Sequence, residues 1–169
     1  MKDWFNNILQ FTLRYEKYKS NDPRDPGGLT IWGIASKYHP VAIARMDKMS
    51  KEEAKKTASE IYWNEYWSAG NCDKLPEKTS QAHFDGCVNP GIGAAVRFVQ
   101  KTVGVAEDGS FGPKTKKAVD NYLLSNSDEI FANKIIELRR EYYVAKNNET
   151  FGRGWANRVK DLRKFLKLC

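Results

Sequence analysis

The sequence predicts an all-α protein, and three observations support that prediction. Apolar residues recur at the three- and four-residue spacing of an amphipathic helix through most of the 169-residue chain. No stretch shows convincingly the alternation of apolar and polar residues that a half-buried strand requires. Clusters of proline and glycine interrupt the helical pattern, as at 22–28 and 89–91, and divide it into separate helices.

In the part of the chain before residue 92 the sequence predicts four helices, and two of them have start signals. Thr30 can cap a short helix, and Ser50 with Glu53 has the spacing of a capping box. Proline and glycine clusters mark where these helices stop. The predicted helices lie at about 2–17, 30–39, 50–65 and 82–88.

The helical pattern restarts after Asn89-Pro90-Gly91, with Pro113 well placed at a first helical position. That break predicts two domains, 1–91 and 92–169. Because the linker is so short, we expect two closely packed helical lobes. The helices predicted in the second domain lie at about 93–103, 113–124, 127–147 and 154–167.

The composition limits the choice of partner. The chain has 28 Lys and Arg against 21 Asp and Glu, a net charge of +7, which favours a polyanionic partner. The basic residues are spread along the chain without an RNA-binding signature or zinc-finger spacing, so nucleic acid is not the expected partner. The sequence has no apolar run long enough to cross a bilayer, so we expect no stable membrane insertion.

The three cysteines, Cys72, Cys87 and Cys169, are too few and too scattered for a disulfide framework, which favours free thiols. A Cys72–Cys87 disulfide stays open as the alternative. His83 and Asp85 lie on one predicted helix, but the sequence shows no third and fourth ligand at usable spacing. We therefore predict no metal site and no cofactor.

The N-terminal residues Met1 to Trp4 lack the apolar region and the cleavage site of a secretory signal. The expectation is a protein synthesised in the cytoplasm without a signal peptide, whose export would need another route.

Glu16 is the first candidate for chemistry. In a helix over 2–17 it lies on the same face as Phe5 and Leu9, the face that turns toward the core. A carboxylate aimed inward is costly to keep ionised. A carboxyl group that keeps its proton near neutral pH is what a glycosidase uses as general acid. The alternative is an ordinary surface or salt-bridged glutamate.

The loop after Glu16 holds further candidates, each with two interpretations. Asp22 and Asp25 are either turn formers or a second carboxylate facing Glu16 across a cleft. Thr30 caps a helix, binds substrate or water, or does both. Gly28 forms a tight turn or allows a close backbone approach to a ligand. Inverting and retaining mechanisms both stay open, since the sequence does not supply the distance between the two carboxyl groups.

Aromatic residues are numerous in the first ninety positions. Most belong to the core by default, but sugar-binding clefts also use aromatic faces as stacking platforms. The candidates are Trp32, Tyr38, Trp63, Tyr66 and Trp67.

A long motif in this region resembles the signature of glycoside hydrolase family 108. It matches at Glu16, Asn21, Asp22, Pro23, Asp25, Pro26, Gly27, Gly28, Thr30, Gly33 and Ile34. Tyr66-Trp67, Cys72 to Pro76 and Phe84 to Gly91 also resemble that family. The second half is similar to the C-terminal peptidoglycan-binding domain that accompanies it, at positions that include Ala95, Gln100, Asp108-Gly109, Gly112 to Thr115, and Gly154 to Val159.

The resemblance implies a lysozyme-like helical fold and an N-acetylmuramidase of the kind found in phages and bacteria, endolysin-like, with older members labelled secretion activator proteins. The implied substrate is the glycan strand of peptidoglycan, reached by holin-type or other non-classical export, and the protein is expected to be a monomer. Glu16 is the implied catalytic residue, with Asp22 or Asp25 as second group and Thr30 as a positioning residue. The implied substrate-binding residues are Asn21, Gly28, Trp32, Asp85 and Asn89.

Two alternatives stay open, and the first of them rests on a departure from the family pattern. Lys17-Tyr18-Lys19 stands where the family has Gly-Gly-Tyr, which removes backbone freedom beside Glu16. A non-catalytic cell-wall binding protein on the same fold is one alternative, and a lytic transglycosylase is the other. Basic residues of the second half suit an anionic wall polymer: Lys114, Lys116, Lys117, Arg139 and Arg140.

Overall fold

The computed structural model of the protein describes residues 3–16, 18–22, 27–146 and 152–168. Within these ranges the chain is mostly helical, which confirms the all-α prediction. The helices are α1 (Asp3–Leu13), α2 (Pro40–Met46), α3 (Lys51–Tyr62), α4 (Glu77–Val88), α5 (Ile92–Val103), α6 (Pro113–Leu123), α7 (Asp128–Ala145) and α8 (Gly152–Phe165), with a π-helical turn at Trp63–Ser68 and a 3₁₀ turn at Cys72–Lys74. None of the helices so described is long and apolar enough to span a membrane.

The chain groups into two units, Met1–Glu65 and Tyr66–Cys169, which we describe separately. In the second unit α4 packs against α5 and α7. The predicted domain division after residue 91 does not coincide with this grouping, and it stays a prediction.

A small antiparallel sheet replaces the helix predicted from Thr30. Its strands are β1 (Lys19–Ser20), β2 (Thr30–Ile31) and β3 (Ile34–Ala35), in that order, with Ile31 opposite Ile34. Trp32 and Gly33 form a two-residue turn with positive φ at both positions, +50° and +79°, as a type I′ hairpin requires. The helical prediction was wrong because this turn stops a helix, and strands of two residues are too short to show a period.

The first helix ends at Leu13, earlier than predicted. The N–H groups of Arg14 and Tyr15 donate to the carbonyls of Phe11 and Thr12, each at 3.1 Å, and close its last turn. Glu16 follows in a bend. Its orientation is therefore set by this bend and by its neighbours, and not by the helical phase that the sequence suggested.

The third helix begins where the sequence predicted. Ser50 Oγ accepts a hydrogen bond from the Glu53 N–H at 3.3 Å, and Glu53 Oε2 accepts one from the Ser50 N–H at 3.0 Å, so the capping box is complete. The helix buries Ala54, Ala58 and Tyr62. It thereby fixes Tyr62, its last residue, in the core of the first unit.

The second unit is built around α4. Every residue from Thr79 to Cys87 is buried, so this helix has no solvent face over most of its length. Its polar residues must therefore find partners inside the protein. Two groups of such partners are described below.

Candidate active site

Glu16 lies against the turn between β2 and β3. Its side chain is half-buried. A Cβ atom added to Gly33 would stand 2.9 Å from Glu16 Cγ and 3.0 Å from Glu16 Oε2, and it would also collide with the Tyr62 hydroxyl. The carboxyl group and the phenol therefore converge on the backbone of Gly33, and only glycine leaves room for both.

The hairpin turn is held from several sides. Tyr62 Oη donates to the carbonyl of Trp32 at 3.2 Å, and the Trp32 N–H donates to the Tyr18 carbonyl at 2.8 Å. A bulky residue at positive φ is a strained conformation that costs about 1–3 kcal/mol and persists only where the surroundings impose it. Such strain is often found at functional sites. Here the two hydrogen bonds hold Trp32 in this conformation, next to the glycine that Glu16 faces.

The Trp32 side chain forms an aromatic pair next to this turn. Its ring centroid lies 5.4 Å from that of Tyr18, and both residues are half-buried. Lys51 Nζ lies 5.4 Å from the Tyr18 ring and 5.5 Å from the Trp32 ring. Trp32 Nε1 donates to the Lys51 carbonyl at 3.3 Å, which fixes the indole orientation. The pair offers partly exposed aromatic surface with a cation beside it.

Thr30 and Gly28 secure the start of the hairpin. Thr30 Oγ1 donates to the Gly28 carbonyl at 3.3 Å, so its hydroxyl braces a turn and does not cap a helix. Gly28 has a φ of +72°, and a Cβ there would stand 2.6 Å from Ser36 Oγ. Position 28 therefore requires glycine on both conformational and steric grounds.

The acidic loop candidates are only partly described. Asn21 is exposed and Asp22 is half-buried, directly after β1. Asp25 lies outside the described residues, as does Lys17. Lys19 pairs with Asp47, and the hydrogen bond with that carboxylate is the main reason that the pKa of Lys19 is raised. The segment from Lys17 to Lys19, which departs from the family pattern, also contains Tyr18. This residue supplies one ring of the aromatic pair with Trp32.

Two of the predicted substrate-binding residues, Asp85 and Asn89, lie in a buried polar network of the second unit. Asp85 is fully buried and accepts hydrogen bonds from Arg139 Nη1 and Arg158 Nη2, each at 2.7 Å. Burial by itself raises the pKa of Asp85, but the two guanidinium groups lower it to about 2. Asn89 accepts a hydrogen bond from Tyr143. These contacts give both side chains a structural role, and Asp85 has no exposed surface with which to touch a substrate.

Arg139 is not the surface residue that the sequence suggested. It is 2% exposed, and its Nε donates to Tyr143 Oη at 2.9 Å while Nη1 binds Asp85. Its place on the inner face of α7 explains the difference, because a buried carboxylate on α4 needs a buried cation. Arg139 is therefore unable to bind a wall polymer.

A second buried group in the same unit contains Cys72, His83 and Cys87. Sequence reasoning missed it, although His83 and Cys87 are spaced i, i+4 on α4 and share a helix face. Both described cysteines are free thiols, as predicted. Burial raises the pKa of Cys87, but the hydrogen bond with Cys72 and the neighbouring His83 and Arg139 lower it to about 5. Burial raises the pKa of Cys72.

Within the described residues the fold is mostly helical with one small three-stranded sheet, an architecture of the lysozyme-like class. Residues 9–91 match the family described as Glycosyl hydrolase 108, and residues 94–160 match the one described as Predicted Peptidoglycan domain. The hydrolase region, residues 9–91, therefore belongs to glycosyl hydrolase family 108, and a region of the predicted peptidoglycan domain follows it. The protein is a glycoside hydrolase whose substrate is peptidoglycan.

A solved structure supports this assignment. The chain is similar to SagA of Brucella abortus, with a TM-score of 0.74 and 29% sequence identity over 97% of this chain and 94% of the other. No curated protein matches the sequence.

Proposed function

We propose that the protein is an N-acetylmuramidase, which hydrolyses the β-1,4 bond between N-acetylmuramic acid and N-acetylglucosamine with Glu16 as general acid. The observation that carries this proposal is the half-buried Glu16 side chain against Gly33 and Tyr62. The family match over residues 9–91 supports the same choice of region.

In the proposed reaction Glu16 donates its proton to the glycosidic oxygen as the bond to the muramic acid carbon breaks. Positive charge then develops on the sugar ring, and water attacks that carbon. Asp22 or Asp25 stabilises this charge or activates the water. Thr30 is a positioning residue, because its hydroxyl holds the turn that leads into β2.

The glycan strand would bind beside the hairpin. The Trp32–Tyr18 pair offers a face on which a sugar ring can stack, and Lys51 lies next to both rings. Exposed Asn21 and the backbone at Gly28 are proposed as further contacts.

The setting of the reaction is also part of the proposal. A monomeric enzyme would reach the wall by holin-type or other non-classical export, as a phage or prophage endolysin does. Its peptidoglycan domain, with exposed Lys114 and Lys117, would hold the enzyme on peptidoglycan and on anionic wall polymers.

Digestion of purified sacculi tests the proposal. The wild type should release muropeptides, Glu16→Gln should lose about 10²–10⁴-fold in rate, and Glu60→Gln, an exposed glutamate of α3, should keep it. Retention of near wild-type rate by Glu16→Gln would exclude Glu16 as general acid. Mass spectrometry of the products then defines the reaction.

Reducing muramic acid ends are expected. Anhydro-muramic ends would identify a lytic transglycosylase instead. Wild-type protein that binds sacculi without cleaving them would be a wall-binding protein that lacks catalysis.

A further inference from the structure

Three side chains with metal-binding atoms meet in the interior of the second unit. The Sγ atoms of Cys72 and Cys87 and a ring nitrogen of His83 all lie within 4.8 Å of one another. Cys72 comes from the 3₁₀ turn before α4, while His83 and Cys87 come from one face of α4. We refer to these three residues as the Cys72–His83–Cys87 cluster.

One distance within the cluster matches that of a tetrahedral zinc site. Zinc binds cysteine sulfur at about 2.3 Å and histidine nitrogen at about 2.0–2.1 Å, so a tetrahedral angle separates the two atoms by about 3.5 Å. Cys87 Sγ and His83 Nε2 are 3.5 Å apart. Two thiolates and a neutral imidazole would also neutralise the charge of a divalent ion, which burial demands.

The backbone at Gly70 also lies against the cluster. Its carbonyl oxygen lies 2.9 Å from His83 Nε2, and a Cβ at this position would stand 2.7 Å from Cys87 Sγ. The chain thus approaches the cluster closely at a glycine, and zinc bound at His83 Nε2 would replace the proton that this nitrogen donates to the Gly70 carbonyl. The burial of all three side chains, none more than 1% exposed, excludes a reaction with any large substrate.

We propose that Cys72, His83 and Cys87 form a structural zinc site. The ion would tie the turn at Cys72–Lys74 to the central helix α4, at the start of the second unit. Because metal ligands buried in this way become accessible only when the chain is unfolded, zinc would enter during folding and add its binding energy to the stability of the unit. The site is independent of the proposed reaction at Glu16.

Metal analysis of the refolded full-length protein tests this proposal. The reduced chain is unfolded and refolded with excess Zn²⁺ or without metal, desalted, and measured for zinc by elemental mass spectrometry. We expect one zinc per chain and a melting temperature that is higher than that of the metal-free protein. Refolding with Co²⁺ should give the absorption bands of tetrahedral cobalt together with thiolate charge-transfer bands. This measurement uses the wild-type protein alone.

Matched cysteine variants assign the ligands. Cys87→Ser should lose zinc and, in the cobalt experiment, the thiolate charge-transfer bands, while Cys169→Ser should keep both. A reduced wild type that refolds without retaining zinc would overturn the proposal, as would equal zinc in Cys87→Ser and Cys169→Ser. Conversion of Cys72 and Cys87 into a disulfide in the presence of zinc, detected by thiol alkylation, would also overturn it.

Discussion

Glu16 and Gly33 are in contact across the hairpin turn, so closely that the carboxyl side chain occupies the space that any larger residue at position 33 would need. The proposed general acid is thus held by a backbone that folds through a positive φ of +79°.

Gly33→Ala should reduce the rate of sacculus hydrolysis by about 10²-fold, because the added methyl group displaces Glu16 from its reacting position. The matched control is Gly104→Ala, which also places a Cβ at positive φ, +74°, but meets no atom within 4 Å. Both should lose roughly 1–2 kcal/mol of unfolding free energy from backbone strain. Equal rates in the two variants would show that the Glu16–Gly33 contact does not matter.

Tyr62→Phe removes the hydroxyl that donates to the Trp32 carbonyl at 3.2 Å. We expect a loss of about 1 kcal/mol in urea unfolding, since a partly buried carbonyl loses its partner, together with slower hydrolysis. Tyr38→Phe, at a side chain 71% exposed, should change neither quantity. Hydrolysis at the wild-type rate in Tyr62→Phe would assign the phenol to stability alone.

Asp85→Asn should destabilise the protein by about 3–5 kcal/mol, because it leaves two buried guanidinium groups without their carboxylate. Asp120→Asn serves as the control, since Asp120 pairs with Lys116 at an exposed site. An exposed pair contributes at most about 1 kcal/mol. Urea unfolding followed by circular dichroism measures both, and similar losses would contradict the structural role of Asp85.

Stability should fall in acid as Asp85 takes up a proton. The pKa of Asp85 is about 2 in the folded protein against an ordinary value of 3.8, so its contribution is complete above about pH 4 and is lost as the pH falls through about 2. A shift of this size corresponds to about 2 kcal/mol. Urea titrations between pH 5 and pH 2 test this, and a constant unfolding free energy over that range would contradict it.

Wall binding should depend on the exposed lysines of α6. Reversal of Lys114 and Lys117 to glutamate should weaken binding of the Glu16→Gln protein to sacculi and reduce its sensitivity to salt. The same reversal at Lys48 and Lys56, exposed in the first unit, is the control. If salt and the α6 reversals leave binding unchanged, the second half is a structural brace.

Local signals in the sequence predicted the elements that depend on neighbouring residues. Ser50 and Glu53 are three positions apart and complete their capping box within one turn. Pro113 occupies the first turn of α6 as predicted. Such features need no information from elsewhere in the chain, which is why periodicity and capping rules predicted them.

Features that depend on distant residues were not predictable in this way. Trp32 adopts positive φ because Tyr62 and Tyr18 form hydrogen bonds with its backbone. The residues next to Trp32 in the sequence do not predict these two contacts. Cys72 reaches His83 only through the turn that precedes α4. For Glu16 the motif resemblance stays as a prediction, while the helical phase used to orient it does not apply because α1 ends at Leu13.

Asp85 pairs with Arg158, which follows it by 73 residues in the chain. During translation this pair can form only after Arg158 has been synthesised. At synthesis rates of about 5–20 residues per second, Arg158 is made roughly 4–15 s after Asp85. Over the first 54 residues after Asp85 the nascent chain lacks both of the cations that allow this carboxylate to enter a dry interior, and it still lacks Arg158 until the interval ends. The second unit can therefore close only late in translation, whereas every contact described around Glu16 joins residues made long before.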